Sequence, residues 1–258
     1  MKLYVLDLGK IVMMNDNPVT KGSEEHPAIP IHAFLLDTST GKILFDTGCV
    51  PDCMDGAWPE AMCSNPYVPS PGGDLIERLA QVGAAPEDVD YVVLSHLHLD
   101  HAGAVHLFPN AKAIVSKDEY TRVMEDAKEG TLGIFHLPCD LKNWEDAKVN
   151  WELIDARETK LSEEVTILNF GPGHSYGMLG LLVKLSNKNV LLVSDAVYSA
   201  IHYGPPAQLA GVVQDEEGYF ATIEQIRRYA EEYQAEVLYG HDMPQFLSLI
   251  KGQDGFYE

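Results

Sequence analysis

The run Ser95-His96-Leu97-His98-Leu99-Asp100-His101 constrains this chain more than any other feature. Four side chains able to ligate a metal fall within six residues, directly after the apolar run Tyr91-Val92-Val93-Leu94. A strand end is a rigid mount for such groups. His96 and His98 are two apart and share a face while the chain stays extended. The turn that follows aims Asp100 and His101 elsewhere, so one tight loop can serve two metal ions. A single histidine here would be read as satisfied by a neighbouring carboxylate. Four ligand-type residues gathered without a cation would form a desolvated, mutually repelling group, which is costly. Imidazole and carboxylate donors suit Zn, and also Fe, Mn or Co.

Three more ligand-type residues repeat the pattern of apolar strand, tight turn, ligand. His174 follows Val165-Thr166-Ile167-Leu168 through Phe170-Gly171-Pro172-Gly173. Asp195 ends Val190-Leu191-Leu192-Val193, and His241 follows Val237-Leu238-Tyr239 across Gly240. Taken singly, His174 or His241 could be an ordinary loop histidine. Their coincidence points to one site, since α/β sites gather at the carboxyl ends of strands.

The rest of the chain is read as follows. Ile31–Leu36 and Ile43–Phe45 flank the turn Asp37-Thr38-Ser39-Thr40-Gly41 as a hairpin ending at Asp46-Thr47-Gly48. Residues 49–73, rich in Pro, Gly, Cys and Met, form a long loop. There Trp58, Met62 and Tyr67, with Met13 or Met14, are expected to line an apolar entrance. Asp74 caps a helix through Gln81. Ser116 caps a second helix to about Lys128, with Glu119 completing a capping box. Residues 130–150 read as irregular and exposed. Two strands meet across Ser186-Asn187-Lys188-Asn189. A helix from about 218 to 234 carries a core stripe of Phe220, Ile223, Ile226, Ala230 and Tyr233. Each half thus gives strands first and a long helix later. The expected fold is α/β, a four-layer αβ/βα sandwich, forming one domain over residues 1–258.

Composition narrows the partners. Asp and Glu number 39 against 18 Lys and Arg, a net charge of −21. Such a surface repels nucleic acid and anionic membranes. A 46% hydrophobic content with 22% charged residues is that of a globular chain. The N-terminus runs straight into a strand with no signal-peptide pattern, and no stretch is long and apolar enough to span a bilayer, so a cytoplasmic location is expected. Cys49, Cys53, Cys63 and Cys139 then read as free thiols. Their spacing lacks the tight pair of a structural metal site.

His-x-His-x-Asp-His with a later His, Asp and His resembles the metallo-β-lactamase superfamily over nearly the whole chain, and Asp46-Thr47-Gly48 looks like that superfamily's upstream aspartate motif. The stretches Ser95–Gly103, Gly171–Ser175, Asp195-Ala196-Val197-Tyr198 and Gly240–Met243 are similar to N-acyl-homoserine lactonases and to pyridoxolactonase. That resemblance implies the four-layer fold and two divalent metals. His96, His98 and His174 would hold one metal, Asp100, His101 and His241 the other, and Asp195 would bridge them. It further implies a metal-bridging hydroxide that attacks a small-molecule lactone. Tyr198 would face the carbonyl, Asp100 would carry a proton to the leaving oxygen, and Asp46 would orient a ligand histidine from behind. An N-acyl-homoserine lactonase is the first expectation. The alternatives are a pyridoxolactonase-like enzyme or a glyoxalase II-like thioesterase. The chain departs from the lactonases most in residues 49–73 and 199–215, which puts the substrate in question rather than the reaction.

Overall fold

The longest strands bury side chains on both faces instead of alternating, because each is covered on both sides. The computed structural model describes residues 1–13 and 28–258. Among them, β1 (Lys2–Val12), β2 (Ala28–Thr38), β3 (Gly41–Phe45), β4 (Tyr67–Pro69), β5 (Val89–Val93), β6 (Lys112–Ser116) and β7 (Asn150–Ile154) form one sheet in the order β4-β1-β2-β3-β5-β6-β7. A second sheet is formed by β8 (Glu158–Lys160), β9 (Val165–Gly171), β10 (Met178–Lys184), β11 (Asn189–Ser194) and β12 (Ala235–Tyr239), in the order β12-β11-β10-β9-β8. The helices are the single turn α1 (Glu60–Cys63), α2 (Leu75–Gln81), α3 (Lys117–Glu129), α4 (Pro138–Ala147), the single turn α5 (Ala200–Tyr203), α6 (Glu216–Tyr233) and α7 (Met243–Ser248).

Three apolar clusters order these elements into layers. Leu3, Val5, Phe34, Ile43 and Phe45 of the first sheet meet Ile167, Leu179, Leu181, Val183 and Leu192 of the second. On the outer face of the first sheet, Leu35, Leu44, Val92 and Val115 pack with Leu79 of α2, Val123 of α3 and Trp144 of α4. On the outer face of the second, Leu168, Leu191 and Val193 pack with Tyr219, Ile223 and Ile226 of α6. The arrangement is the four-layer αβ/βα sandwich of the metallo-β-lactamase type. β3, β5, β6 and β7 run parallel, as do β11 and β12, so their carboxyl ends open on one edge. No helix among the described residues is long and apolar enough to cross a membrane.

Several local expectations give way to tertiary packing. Residues 130–150 are not irregular: they contain α4, with Asp140 and Trp144 buried, and Trp144 donates to Ala102 O at 3.3 Å. Ser116 precedes α3 without a side-chain cap, and Glu119 is turned away from any capping box into the interior. On α6 the buried face is Tyr219, Thr222, Ile223, Ile226 and Tyr229, while Phe220 is exposed. In the 49–73 segment Trp58 and Tyr67 belong to the outer core of the first sheet, and the Tyr67 hydroxyl donates to Leu8 O. Met62 and Met13 are half-buried and pack against that same core. Met14 lies outside the described residues.

Candidate metal centre

Five strand ends deliver the site. β5 runs into Leu94-Ser95 and the ligand loop, β3 into Asp46, β9 into the turn before His174, β11 into Asp195, and β12 into Gly240-His241. The turns are tight enough to force unusual backbone. Asp46 at φ 61° and Ser194 at φ 47° are non-glycine residues in the left-handed region, a conformation that costs energy and clusters at functional sites. At position 240 a Cβ would fall 2.3 Å from Asp195 Oδ1, so glycine is required for β12 to approach this closely.

The seven ligand-type residues singled out in the sequence converge. The His96 ring lies 4.4 Å from that of His98, 4.3 Å from His101 and 4.8 Å from His174. His174 Nε2 and His98 Nδ1 are 3.0 Å apart and face one point. Asp195 stands between two groups of donors. Its Oδ2 is 3.4 Å from His174 Nε2 and 3.0 Å from His241 Nε2, and its Oδ1 is 3.4 Å from His101 Nε2. Asp100 Oδ2 is 3.7 Å from both His101 Nε2 and His241 Nε2. Three triads have donor atoms within 4.8 Å of one another: His96/His98/His174, His96/His101/Asp195 and Asp100/His101/His241. All seven residues are buried except Asp100, which is half-buried.

Four of the five histidines are held from behind through Nδ1, which turns Nε2 inward. The partners are Ser95 Oγ for His96 at 2.9 Å, Asp46 Oδ2 for His101 at 2.9 Å, Val212 O for His174 at 2.8 Å and Pro30 O for His241 at 3.0 Å. Asp46 also accepts from Ser95 N–H at 2.7 Å and from the hydroxyls of Ser95 and Ser194 at 2.9 and 3.1 Å. Ser194, Val212 and Pro30 were not legible as site residues. They reach it only through turns whose direction the tertiary fold decides.

Electrostatics divide the site. Burial drives His96 and His98 well below the ordinary imidazole range, and neighbouring histidines add to it. Burial would also lower His101 and His241, but the carboxylates of Asp195 and Asp100 raise both. Burial would raise Asp195, yet His241 and His101 hold its carboxyl well below the usual range. Even so, His96 Nε2, His101 Nε2 and Asp195 Oδ1 are buried with no hydrogen-bond partner. Unpaired buried polar atoms are costly, and divalent cations would satisfy all three. The residues present fit two such ions.

Tyr198 closes one side of the site. Its ring lies 5.1 Å from that of His174 and 5.2 Å from that of His241, and its carbonyl accepts from His241 N–H at 2.8 Å. Burial, with Asp195 and Asp100, pushes the phenol well above its ordinary value, so it remains a hydrogen-bond donor.

Residues 26–241 match the family described as the metallo-beta-lactamase superfamily. The chain is 43% identical to the N-acyl homoserine lactonase AiiB of Agrobacterium fabrum, over 100% of this chain and 99% of that protein. It is 26% identical to an N-acyl homoserine lactonase of Bacillus thuringiensis, over 95% of this chain and 94% of the relative. Among solved structures, a variant of B. thuringiensis AiiA with N-decanoyl-L-homoserine at its active site superposes with a TM-score of 0.79 at 25% identity, covering 97% of this chain and 96% of that one. An N-acyl homoserine lactone hydrolase with N-hexanoyl-L-homoserine bound at its catalytic metal centre gives the same score and identity, covering 97% and 96% of the two chains.

Proposed function

The chain belongs to the metallo-beta-lactamase superfamily, and on that premise we propose that it is an N-acyl homoserine lactonase, a metal-dependent hydrolase that opens the lactone ring of a small-molecule substrate. The observation that supports this most is the 43% identity to the A. fabrum lactonase along the whole of both chains. In this reading His96, His98 and His174 hold one divalent cation, Asp100, His101 and His241 hold the second, and Asp195 spans both. Bound there, the cations supply a water acidic enough to be a nucleophile near neutral pH and a Lewis acid for the carbonyl. Zinc as the native metal, a cytoplasmic location, and residues 1–258 as one hydrolase unit are parts of the same proposal.

The chain's own residues supply the rest. Tyr198 sits over the rings of His174 and His241, where its hydroxyl donates to the lactone carbonyl oxygen as charge collects there. One such donor is worth about 3 kcal/mol. Asp100, the least buried of the seven, would carry a proton to the departing ring oxygen. Asp46 and Ser95 keep His101 and His96 in the tautomer that presents Nε2 inward. Hydrolysis adds one water across the acyl carbon–oxygen bond. The acyl carbon gains a hydroxyl, the ring oxygen a proton, and no covalent link to the protein forms.

The test is proton release by purified protein against N-acyl homoserine lactones, a thioester and a β-lactam. Lactones should lead the others by roughly 100-fold or more in kcat/KM. A thioester turned over faster than any lactone would replace this reading with the thioesterase one.

A further inference from the structure

Glu119 is fully buried in the first turn of α3, and the proposed reaction does not use it. Its carboxylate is where the two loops of one half-site meet. Oε1 accepts at 2.9 Å from Leu97 N–H, the amide between His96 and His98. Oε2 accepts at 3.0 Å from Gly177 N–H, three residues after His174. The hydroxyl of Ser175, next to His174, lies 2.9 and 2.8 Å from the two oxygens. His136 Nε2 stands 3.3 Å from Oε1, and the His136 ring packs at 4.8 Å on that of His98. The approach of the second loop is close: a Cβ on Gly177 would fall 2.3 Å from Ser116 Oγ and 3.1 Å from Glu119 N.

We infer that Glu119 is a positioning residue that fixes His96 and His98 against His174, and so governs affinity for the cation these three share; this rests on the two-cation reading above. The physical reason is the geometry of the half-site. His174 Nε2 and His98 Nδ1 are held 3.0 Å apart although their loops are far apart in sequence. Two ring nitrogens that must both turn a lone pair to one cation repel each other, and a rigid support has to hold them together. A carboxylate accepts at both oxygens, and the backbone groups it meets here are both donors. In Glu119→Gln the shape is kept. Whichever way the amide turns, its NH2 faces the N–H of Leu97 or that of Gly177, and one tie is lost. Glu119 makes no hydrogen bond to Asp100, His101 or His241, so the other half-site is left intact.

The experiment compares wild type and Glu119→Gln, stripped by chelation and titrated with Co²⁺ by calorimetry and visible absorption, alongside hydrogen exchange of the metal-free proteins. Wild type should take two ions. The variant should bind one of them 10- to 100-fold more weakly, the scale for partners that orient metal ligands, and the other as before. Exchange should rise locally, over residues 95–98 and 174–178. Equal weakening of both ions with exchange rising throughout would mean a merely structural role, and no change in either would also overturn the inference. If Glu119→Gln does not fold, Ser175→Ala decides, with the same pattern in milder form expected. A wild type that takes fewer than two ions would sink the two-cation reading. The local exchange change then judges Glu119 by itself.

Discussion

At the scale of single residues, the site is a set of donors each turned by a partner behind it. His101 is turned by Asp46, His241 by the Pro30 carbonyl and His174 by the Val212 carbonyl. Tyr198 has a different task, and Tyr198→Phe removes a donor with almost no change in volume. Folding and metal content should persist while kcat falls about 10- to 1000-fold in steady-state assays. A rise in KM at constant kcat would make Tyr198 a substrate-positioning group instead. A second residue, outside the centre, carries a pH signature. Burial, opposed by a Cys139 hydrogen bond and helped by Asp52, raises the Asp140 carboxyl to about 7. The folded state then keeps a proton that the unfolded chain has released above about pH 4. Stability present at low pH is therefore lost as pH rises through about 7, by a few kcal/mol at most. Asp140→Asn should be more stable than the parent, by a margin that grows from pH 5.5 to 7.5 and then levels in denaturant melts. A margin independent of pH would contradict this.

At the scale of elements, local rules held where nothing nonlocal competed. Asp74 caps α2 as its sequence position implied. Its carboxylate accepts from Ile76 N–H and Glu77 N–H at 2.9 and 3.1 Å, and Glu77 returns a bond to Asp74 N–H at 2.9 Å. Asp74→Ala should cost about 1 kcal/mol, and the resulting drop in thermal midpoint of about 2–4 °C is readable by calorimetry. α3 carries the same kind of signal, Ser116 followed by Glu119, yet forms no box. The carboxylate finds Leu97, Ser175 and Gly177 instead, and a fully buried hub is worth more than an exposed cap. α4 escaped notice because its helix is short and mostly polar. Only its contacts with Ala102 and the outer core make it stable. On α6 the expected stripe holds at Ile223 and Ile226, with Ala230 and Tyr233 packed at its margin, but Phe220 faces out and the rings of Tyr219 and Tyr229 fill the cover over β9 and β11.

At the scale of the whole molecule, the three carboxylates Asp46, Asp100 and Asp195 converge inside a chain already carrying a net charge of −21. Bound divalent cations should therefore add to stability as well as chemistry. With free metal at about 100 times Kd, each ion contributes about 2.7 kcal/mol. Stripping both should lower the thermal midpoint by roughly 10–20 °C, and adding a divalent cation back should restore it. A midpoint indifferent to chelator would argue against the two-cation reading. Much of this protein could be read along the chain: strands of buried apolar residues, turns rich in glycine, and after each turn a histidine or aspartate. That pattern is local, and strand, turn and side-chain chemistry are set by neighbours in sequence, so the strands, the turns and the seven donor residues were legible in it, while the four-layer packing was expected only once the motifs' resemblance to the superfamily was added. The supports behind those donors could not be read in the same way. Pro30 lies 211 residues from His241, and Glu119 lies 56 from Ser175. Which backbone carbonyl or carboxylate stands behind which ring depends on the order in which two sheets assemble and on how closely their edges approach. Those distances exist only once the layers have packed.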